Sequence, residues 1–282
     1  MGRTAKIWLI TAAVLVVLGL ILFAAAMQAH TWDFDSLCTE TYEINVHKVN
    51  ETFHNIAIDT DTADILLALS QDGKCTVECY EASNAKHSVT VEEGTLTIKL
   101  VDKKAWYDYI GIHIDTPKIT VYLPETAYTS LRVNTSSGDI CVANASAQAL
   151  DLAVSTGMVT VSNVVCREDV SITASTGKAK LTGVTCRTLT SDADTGDILL
   201  SDVIAQEKIS ITRSTGDVRF DGVDAPGIFV DTDTGDVTGH LLTDKVFYAT
   251  TDTGSVHVPN TATGGRCEVS TNTGDINLTV KG

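Results

Sequence analysis

The sequence predicts an all-β fold, a parallel two-sheet β-solenoid of about eight coils of 19–20 residues each. Three observations predict it. A short Ser/Asp-Thr-Gly motif recurs at a near-constant interval, apolar and polar residues alternate on both sides of its glycine, and Thr and Val are abundant. A period of about 20 residues indicates stacked units that bury a common core, because one unit cannot bury its apolar face alone.

The chain of 282 residues begins with a segment, 7–27, that contains no charged side chain. As a helix it would span about 31 Å, the thickness of a bilayer's hydrocarbon core. Arg3 and Lys6 precede this segment and acidic residues follow it, so the positive-inside rule predicts a cytoplasmic tail, 1–6, and an extracellular body. A cleaved signal peptide is the alternative. We expect a single-pass transmembrane anchor, because signal peptides usually have a shorter apolar run.

The rest of the chain is predicted to have three parts. Polar residues follow the anchor, then irregular strand-like runs, then the regular repeats. Terminal units of a solenoid are atypical because they must cap the core. The predicted parts are a juxtamembrane linker, 28–50, an N-terminal β cap region, 51–125, and the β-solenoid repeats, 126–282.

Two local patterns support the predicted cap. The run from Asp59 to Ile65 resembles a degenerate repeat, with Ala63 at the glycine position. Glu93-Gly94 separates two strand-like runs and predicts a hairpin turn. The other end has no such region before Gly282, so the C-terminal coil is a candidate edge for self-association.

The repeat glycines are predicted to occupy tight turns with a positive φ. Positions five and seven before each glycine, and two and four after it, are mainly apolar, whereas the residues between them are mostly polar. This period of two predicts two short, half-buried strands per repeat. Asn, Asp or Gly six residues after most of the glycines predicts a second bend. The predicted turn glycines are Gly138, Gly157, Gly177, Gly196, Gly216, Gly235, Gly254 and Gly274.

Aspartates beside these glycines are candidate calcium ligands, because they would line one edge of the stack. The candidates are Asp194, Asp197, Asp233 and Asp236. The nine-residue repeat of calcium-binding rolls is absent, and Asp next to Gly in a turn usually caps its own backbone. We therefore expect turn capping, with neither a metal nor a cofactor.

Seven cysteines, an odd number, argue against a secreted disulfide framework. Cys75 and Cys79 are four residues apart on a predicted strand and too distant to bridge. Cys166 and Cys186 both lie nine residues after a repeat glycine, so we expect them on adjacent coils, with Cα atoms about 4.8 Å apart. We interpret the cysteines as buried structural thiols.

The segment 102–117 contains three aromatic residues, Trp106, Tyr107 and Tyr109. Aromatic side chains on a long loop can form a platform for a ligand or a glycan. They can equally fold back as a lid on the end of the solenoid. We favour the lid, because large exposed apolar patches are uncommon.

Charge and motifs exclude several functions. The net charge of −16 argues against binding nucleic acid and against docking on anionic lipid. The sequence contains no Gly-x-Ser-x-Gly, His-Glu-x-x-His or phosphate-binding loop, so we expect no enzyme activity and no catalytic residue. A polysaccharide-cleaving β-helix is the enzymatic alternative, with Asp192 and Asp231 as outward-facing acids two coils apart.

The tandem Ser-Thr-Gly-Asp-Val repeats, the run from Asp59 to Ile65, the loop from Trp106 to Gly111 and the N-terminal anchor together resemble the bacterial "putative adhesin" β-strand-repeat family. This is a domain family of unknown function, widespread in Firmicutes, and the resemblance covers nearly the whole chain. It implies a surface-exposed β-solenoid, and some relatives are associated with envelope-stress responses. The family supplies no catalytic residues. This chain departs from the pattern at Met158, Lys178 and Ser255, where the motif aspartate is missing.

We therefore expect a membrane-anchored structural or interaction module outside the cytoplasm. Its expected partners are the membrane, through the N-terminal helix, and another envelope protein, a glycan or a second copy. The alternative is a glycan-binding or polysaccharide-acting β-helix protein.

Overall fold

The computed structural model describes residues 2–29, 41–102 and 115–280. They belong to two separate compact units, an N-terminal helix and a β body that begins at Glu43. The aromatic residues of the predicted ligand loop and Cys38 lie outside the described residues.

The N-terminal helix, α1 (Arg3–Ala29), contains the whole predicted segment 7–27. Its span Lys6–Ala25 is long and apolar enough to cross a membrane, judged by length and composition. A signal sequence would have the same properties. Its large apolar side chains are exposed within the helical unit.

The β body consists almost entirely of strands. Those of its N-terminal part are β1 (Tyr42–Val49), β2 (Asn55–Thr62), β3 (Asp64–Leu69), β4 (Cys75–Ala82), β5 (Ala85–Glu92), β6 (Thr95–Asp102) and β7 (Lys118–Leu123). Those of the first repeats are β8 (Ala127–Ser137), β9 (Ile140–Ala143), β10 (Ser146–Thr156), β11 (Val159–Cys166), β12 (Asp169–Thr176), β13 (Ala179–Thr195) and β14 (Ile198–Thr215). The last repeats contain β15 (Val218–Val223), β16 (Gly227–Thr234), β17 (Val237–Leu241), β18 (Lys245–Thr253), β19 (Val256–His257), β20 (Gly265–Thr273) and β21 (Ile276–Val280).

The chain is a β-solenoid, as predicted: each coil contributes one strand before its repeat glycine and one after it. The strands before the glycines form a parallel sheet in the order β6-β2-β8-β10-β12-β13-β14-β16-β20-β18. The strands after the glycines form a second sheet in the order β7-β3-β9-β11-β13-β14-β15-β17-β21-β19. Strands β13 and β14 are long enough to run through both sheets, from one coil into the next.

The pairing register places equivalent residues of successive repeats on one another. Leu150 pairs with Leu131 on one side and with Val170 on the other, and all three are buried. The alternating apolar positions therefore form continuous columns in the core, whereas the polar positions between them face outward. Val165 and Thr185, which precede Cys166 and Cys186, are register partners as well.

The repeat glycines adopt the positive φ that the turn prediction requires, with values from 121° to 157°. They also stack so closely that no side chain fits. A Cβ atom on Gly196 would lie 1.7 Å from the carbonyl oxygen of Gly177. The predicted second bend is confirmed at Asn144, Asn163 and Asp202, which have φ values of 52–55°.

The stack does not follow chain order at its C-terminal end. Strand β20 lies between β16 and β18, so the last coil of the chain is inserted beneath the coil that precedes it in sequence. The exposed edge at this end is therefore β18 and β19, and the prediction that the C-terminal coil forms the edge is wrong. Gly264 and Gly265 allow the insertion. A Cβ atom on them would lie 1.9 Å from the Asp244 carbonyl and 2.4 Å from the Pro226 carbonyl, respectively.

The N-terminal end shows a similar change of order. Strand β2 lies between β8 and β6, so the coil built from β6 and β7 is outermost although it follows β2 and β3 in the chain. Ala63 occupies the glycine position, as predicted, and donates its backbone N–H to the carbonyl of Ser137. Antiparallel strands complete this end. Strand β5 pairs with β6 through the predicted Glu93-Gly94 turn, and β4 pairs with β7.

Candidate interaction surface

The aspartates that follow the repeat glycines form a hydrogen-bonded ladder along the second sheet. The carboxylate of Asp139 accepts a hydrogen bond from the backbone N–H of Met158 at 2.8 Å, and Asp217 accepts one from Asp236 at 2.9 Å. Each aspartate thus caps the turn of the neighbouring coil rather than its own. The carboxylates are held in place by the backbone of the solenoid, so this edge is a rigid surface.

The hydrogen bonds lower the pKa values of the ladder aspartates for which a shift is resolved. At Asp197 the main cause is the hydrogen bond from Lys178, followed by the one from the backbone N–H of Asp217. At Asp275 the cause is a pair of hydrogen bonds from the backbone and the hydroxyl of Ser255. Both carboxylates are therefore ionised in the folded protein at neutral pH.

Met158 and Lys178 interrupt the ladder on two adjacent coils. Met158 is 42% exposed, which is unusual for a large apolar side chain in an otherwise polar column. Lys178 reaches across to Asp197, with 2.8 Å between Nζ and Oδ2. At two consecutive positions of the ladder, one apolar and one cationic side chain therefore stand where the motif has carboxylates.

This interruption borders an open groove of about 430 Å³ on the outer face of the second sheet. Lys180, Leu199 and Arg219 are register partners on three successive strands and form its floor. Neither Lys180 nor Arg219 makes an ion pair within the described chain. The groove is lined by three cations, at 178, 180 and 219, and by three carboxylates, at 197, 217 and 236. It offers charged donors and acceptors around apolar side chains that include Met158 and Leu199, a composition suited to recognising an extended ligand.

The structure separates the calcium candidates. Asp197 and Asp236 belong to the ladder, whereas Asp194 and Asp233 lie two residues before their glycines, and Asp233 accepts a hydrogen bond from Asn272. Within the described ranges, no three of these aspartates bring their carboxylate oxygens within 4.8 Å of one another. The proposed role for the ladder aspartates is therefore turn capping across coils.

The other residues selected from the sequence are also distributed over the solenoid. Asp192 and Asp231 each pair with Thr212 from opposite sides, so they lie two strands apart on the outer face of the first sheet. The described cysteines are free thiols, and Cys267 is part of the core.

A buried polar network in the N-terminal part was not predicted. The His87 ring contacts Glu81, with 2.7 Å between Nδ1 and Oε2, and Thr60, with 2.9 Å between Nε2 and Oγ1. The backbone N–H of His87 also donates to Glu81, and so does the side chain of Asn45. Only Thr60, three residues before the glycine position, belongs to a column that the repeat pattern defines, so no pattern in the sequence indicated the other members of the network.

This network has the hydroxyl-imidazole-carboxylate order of a hydrolase triad, but its setting argues for a structural role. Thr60 is 6% exposed and Glu81 is 1% exposed, so no substrate reaches the hydroxyl group. Cys79 lies close enough to complete a possible set of metal donors with Glu81 and His87. However, burial raises the pKa of its thiol to about 12, and both ring nitrogens of His87 already have protein partners. The network joins the β4-β5 hairpin to the first coil.

The model of the family described as Toastrack DUF4097 matches residues 53–186 and 167–282. Among solved structures, the chain is similar to a putative adhesin from Bacteroides fragilis, with 17% identity, coverage of 85% of this chain and 97% of the other, and a TM-score of 0.46. It is similar to a putative adhesin from Parabacteroides distasonis, with 14% identity, coverage of 84% and 97%, and a TM-score of 0.48. A putative lipid binding protein from the same species has 12% identity, coverage of 84% and 97%, and a TM-score of 0.39. No curated protein matches the chain.

Proposed function

The chain belongs to the Toastrack DUF4097 family, and from this premise we propose that it is a membrane-anchored interaction module outside the cytoplasm, without catalytic activity. The apolar segment 7–27 supports the anchor, and Arg3 and Lys6 before it support the orientation. The β-solenoid would then present its faces to the cell envelope. Rigid solenoids are suited to this role because their stacked strands form extended, regular binding surfaces.

The observation that carries the proposal is the interruption of the aspartate ladder beside the groove. Six aspartates of the ladder accept a backbone hydrogen bond from the next coil: Asp64, Asp139, Asp197, Asp217, Asp236 and Asp275. Met158 and Lys178 have no carboxylate to accept that hydrogen bond, and Met158 is exposed as well. A surface that gives up a stabilising contact and exposes an apolar side chain is suited to binding. We infer that the groove is the site of contact with an envelope component.

A variant that restores the ladder tests this inference. Met158→Asp together with Lys178→Asp should keep the fold, because each new carboxylate would face the backbone N–H of the next coil. We expect this double variant, in full-length protein in membrane vesicles, to lose most of its binding to isolated cell-wall and membrane fractions.

The matched control adds two aspartates to the same coils at a different column, Ser155→Asp with Ser175→Asp. Aspartate occurs naturally in that column at Asp194 and Asp233. The control should bind like the wild type. Equal binding by the wild type and the ladder-restoring variant would contradict the proposed contact site.

Topology needs its own test. A cysteine reporter placed near Gly282 should react with an impermeant reagent added to intact cells, and the protein should remain in the membrane fraction. Reaction only after lysis would contradict the orientation. Release of a shortened chain into the medium would contradict the anchor and favour a cleaved signal peptide.

A glycan-binding or polysaccharide-acting protein is the second candidate. The polar outer face of the first sheet, with Asp192 and Asp231 two strands apart, favours it. Cleavage of an envelope polysaccharide by the wild type, lost in Asp192→Asn and Asp231→Asn, would support the enzyme. Retained binding without cleavage would support a lectin-like module.

A further inference from the structure

A charged side chain lies inside the solenoid at Arg213. Only 3% of its surface is exposed. It belongs to the inward-facing column three residues before the repeat glycines, where Ala193 precedes it and Thr232 follows it in register. A cation in the core requires compensation, because transferring an unpaired charge from water to the protein interior is strongly unfavourable.

The preceding coil provides space for the guanidinium group. Ser191, which is 1% exposed, stands in a column that is otherwise apolar, and its hydroxyl accepts a hydrogen bond from Nη2 of Arg213 at 2.7 Å. Nη1 donates to the backbone carbonyl of Thr212 at 2.8 Å. Ser191 is smaller than Ile172 and Ile211, its register partners on either side, and Ala193 is small as well. The pocket for the cation is thus built from side chains of two adjacent coils.

The described chain compensates the charge of Arg213 only in part. No carboxylate of the described residues forms an ion pair with Arg213, and its Nε–H has no hydrogen-bond partner. Burial lowers the pKa of Arg213 to about 10, an effect that the charge of Asp192 opposes only in part. Buried donors without partners are rare in folded proteins and often mark a bound ion or water.

A second orphan donor lies on the next coil. The hydroxyl of Thr232, which is 2% exposed, also has no partner. Its equivalents in the same column behave differently. Thr271 donates to the carbonyl of Gly235 at 3.1 Å, and Thr251 donates to that of Gly274 at 3.0 Å. Thr232 and Arg213 are register partners, so the two unsatisfied donors belong to adjacent strands.

We propose that the Nε–H of Arg213 and the hydroxyl of Thr232 donate to one small inorganic anion, a halide such as chloride, enclosed between adjacent coils. An anion fits better than water, because it also neutralises the buried guanidinium. A monovalent, monatomic ion fits better than sulfate or phosphate, because both side chains are almost fully buried and the ion must shed its water. The site would make the middle of the solenoid dependent on the anion composition of the medium.

The proposal predicts a chloride-specific stabilisation of the folded protein. The melting temperature of the full-length protein should be measured in detergent while gluconate replaces chloride at constant ionic strength. A ligand that binds only the folded state raises stability with the logarithm of its concentration once it exceeds the dissociation constant. We expect the melting temperature to rise with chloride by several degrees, about 3–5 °C, and bromide to substitute for chloride.

Two variants separate the site from general salt effects. Thr232→Val removes one donor at nearly constant volume and should abolish the chloride dependence. Thr271→Val removes a hydroxyl from the same column that already has a partner, so it should lower the melting temperature but keep the chloride dependence. Bromide in a crystal should give an anomalous peak between Arg213 and Thr232. Equal melting temperatures in chloride and gluconate, or a chloride dependence that survives in Thr232→Val, would overturn the proposal.

Discussion

Asp275 accepts two hydrogen bonds from Ser255, one from its backbone N–H at 2.7 Å and one from its hydroxyl at 2.9 Å. Ser255 comes twenty residues earlier in the chain but lies one coil further out in the stack. Each ladder aspartate caps the coil beyond it, and no described coil lies beyond Ser255. The missing aspartate at Ser255 is thus explained by its place at the end of the stack, where a carboxylate would have no turn to cap.

The inserted last coil leads to a prediction about cross-linking. Ser270 pairs with both Asp231 and Thr250 on the outer face of the first sheet. Neighbouring strands lie about 4.8 Å apart, within the range that a disulfide accepts. Asp231→Cys with Ser270→Cys should therefore form a disulfide on mild oxidation. Asp231→Cys with Thr250→Cys, two strands apart, should not. The opposite result would indicate that the last coils stack in the order in which they occur in the chain.

The stacked glycines predict an unusually damaging substitution. Gly196→Ala should destabilise the protein by at least about 3 kcal/mol, because a Cβ atom would overlap the Gly177 carbonyl in addition to the strain of the positive φ. Gly73→Ala is the matched control, with a φ of 71° and no atom within 4 Å of the new Cβ. It should cost about 1 kcal/mol. Urea unfolding measures both, and equal losses would argue against close stacking at the turn.

The aspartate ladder predicts a difference between an alanine and an asparagine substitution. Asp217→Ala removes the acceptor for the Asp236 N–H and should destabilise by about 1 kcal/mol, whereas Asp217→Asn retains an acceptor oxygen and should cost less. Asp231→Ala, on the exposed outer face of the first sheet, should have little effect. If all three variants unfolded at the same urea concentration, the ladder would have no role in stability.

The ion pair between Lys245 and Asp224 predicts acid sensitivity of the terminal coil. Nζ of the fully buried Lys245 lies 2.6 Å from Oδ1 of Asp224. Burial alone would raise the pKa of Asp224, but hydrogen bonds from Lys245 and Thr243 outweigh it and lower the pKa below its usual 3.8. A lowered pKa contributes stability at pH values above 3.8 that is lost as the pH falls through the lower folded-state value.

Asp224→Asn should therefore lower stability at neutral pH, by about 3 kcal/mol because it leaves Lys245 buried without a counter-charge, and should flatten the acid limb of the stability profile. Lys245→Met removes the charge together with its need for a partner and should cost less. Thermal unfolding between pH 2 and 7 compares the variants. If Asp224→Asn lost stability at low pH as steeply as the wild type, the pH dependence would arise from other carboxylates.

The local structure of the repeats could be predicted from the sequence. The alternation around Gly157 or Gly196 determines which residues face the core, because a strand has a period of two and each glycine marks a turn that only glycine can adopt. The second bend at Asn144 and Asn163 follows from the residue types that tolerate a left-handed backbone. These features depend on residues close in sequence and on one repeating geometry.

The groove could be predicted only in part. Met158 and Lys178 are visible in the sequence as departures from the motif. They border Lys180, Leu199 and Arg219 because of the register between coils, and the repeat period predicts that register. The buried network of Thr60, Glu81 and His87 could not be predicted, because it joins residues from outside the regular repeats.

The amino-acid pattern alone specifies the individual coil: its length, its two strands, its turn glycines and its apolar columns. The order in which the coils stack is set by the folded structure, because successive coils offer nearly equivalent faces and a periodic pattern does not rank them. At the C-terminal end the stacking order depends on contacts between residues that are far apart in the chain. Gly265 packs against the Pro226 carbonyl, Asp236 accepts a hydrogen bond from the Asp275 N–H, and Lys245 forms an ion pair with Asp224. Those contacts exist only once the chain has returned to the stack, so no local pattern could specify them.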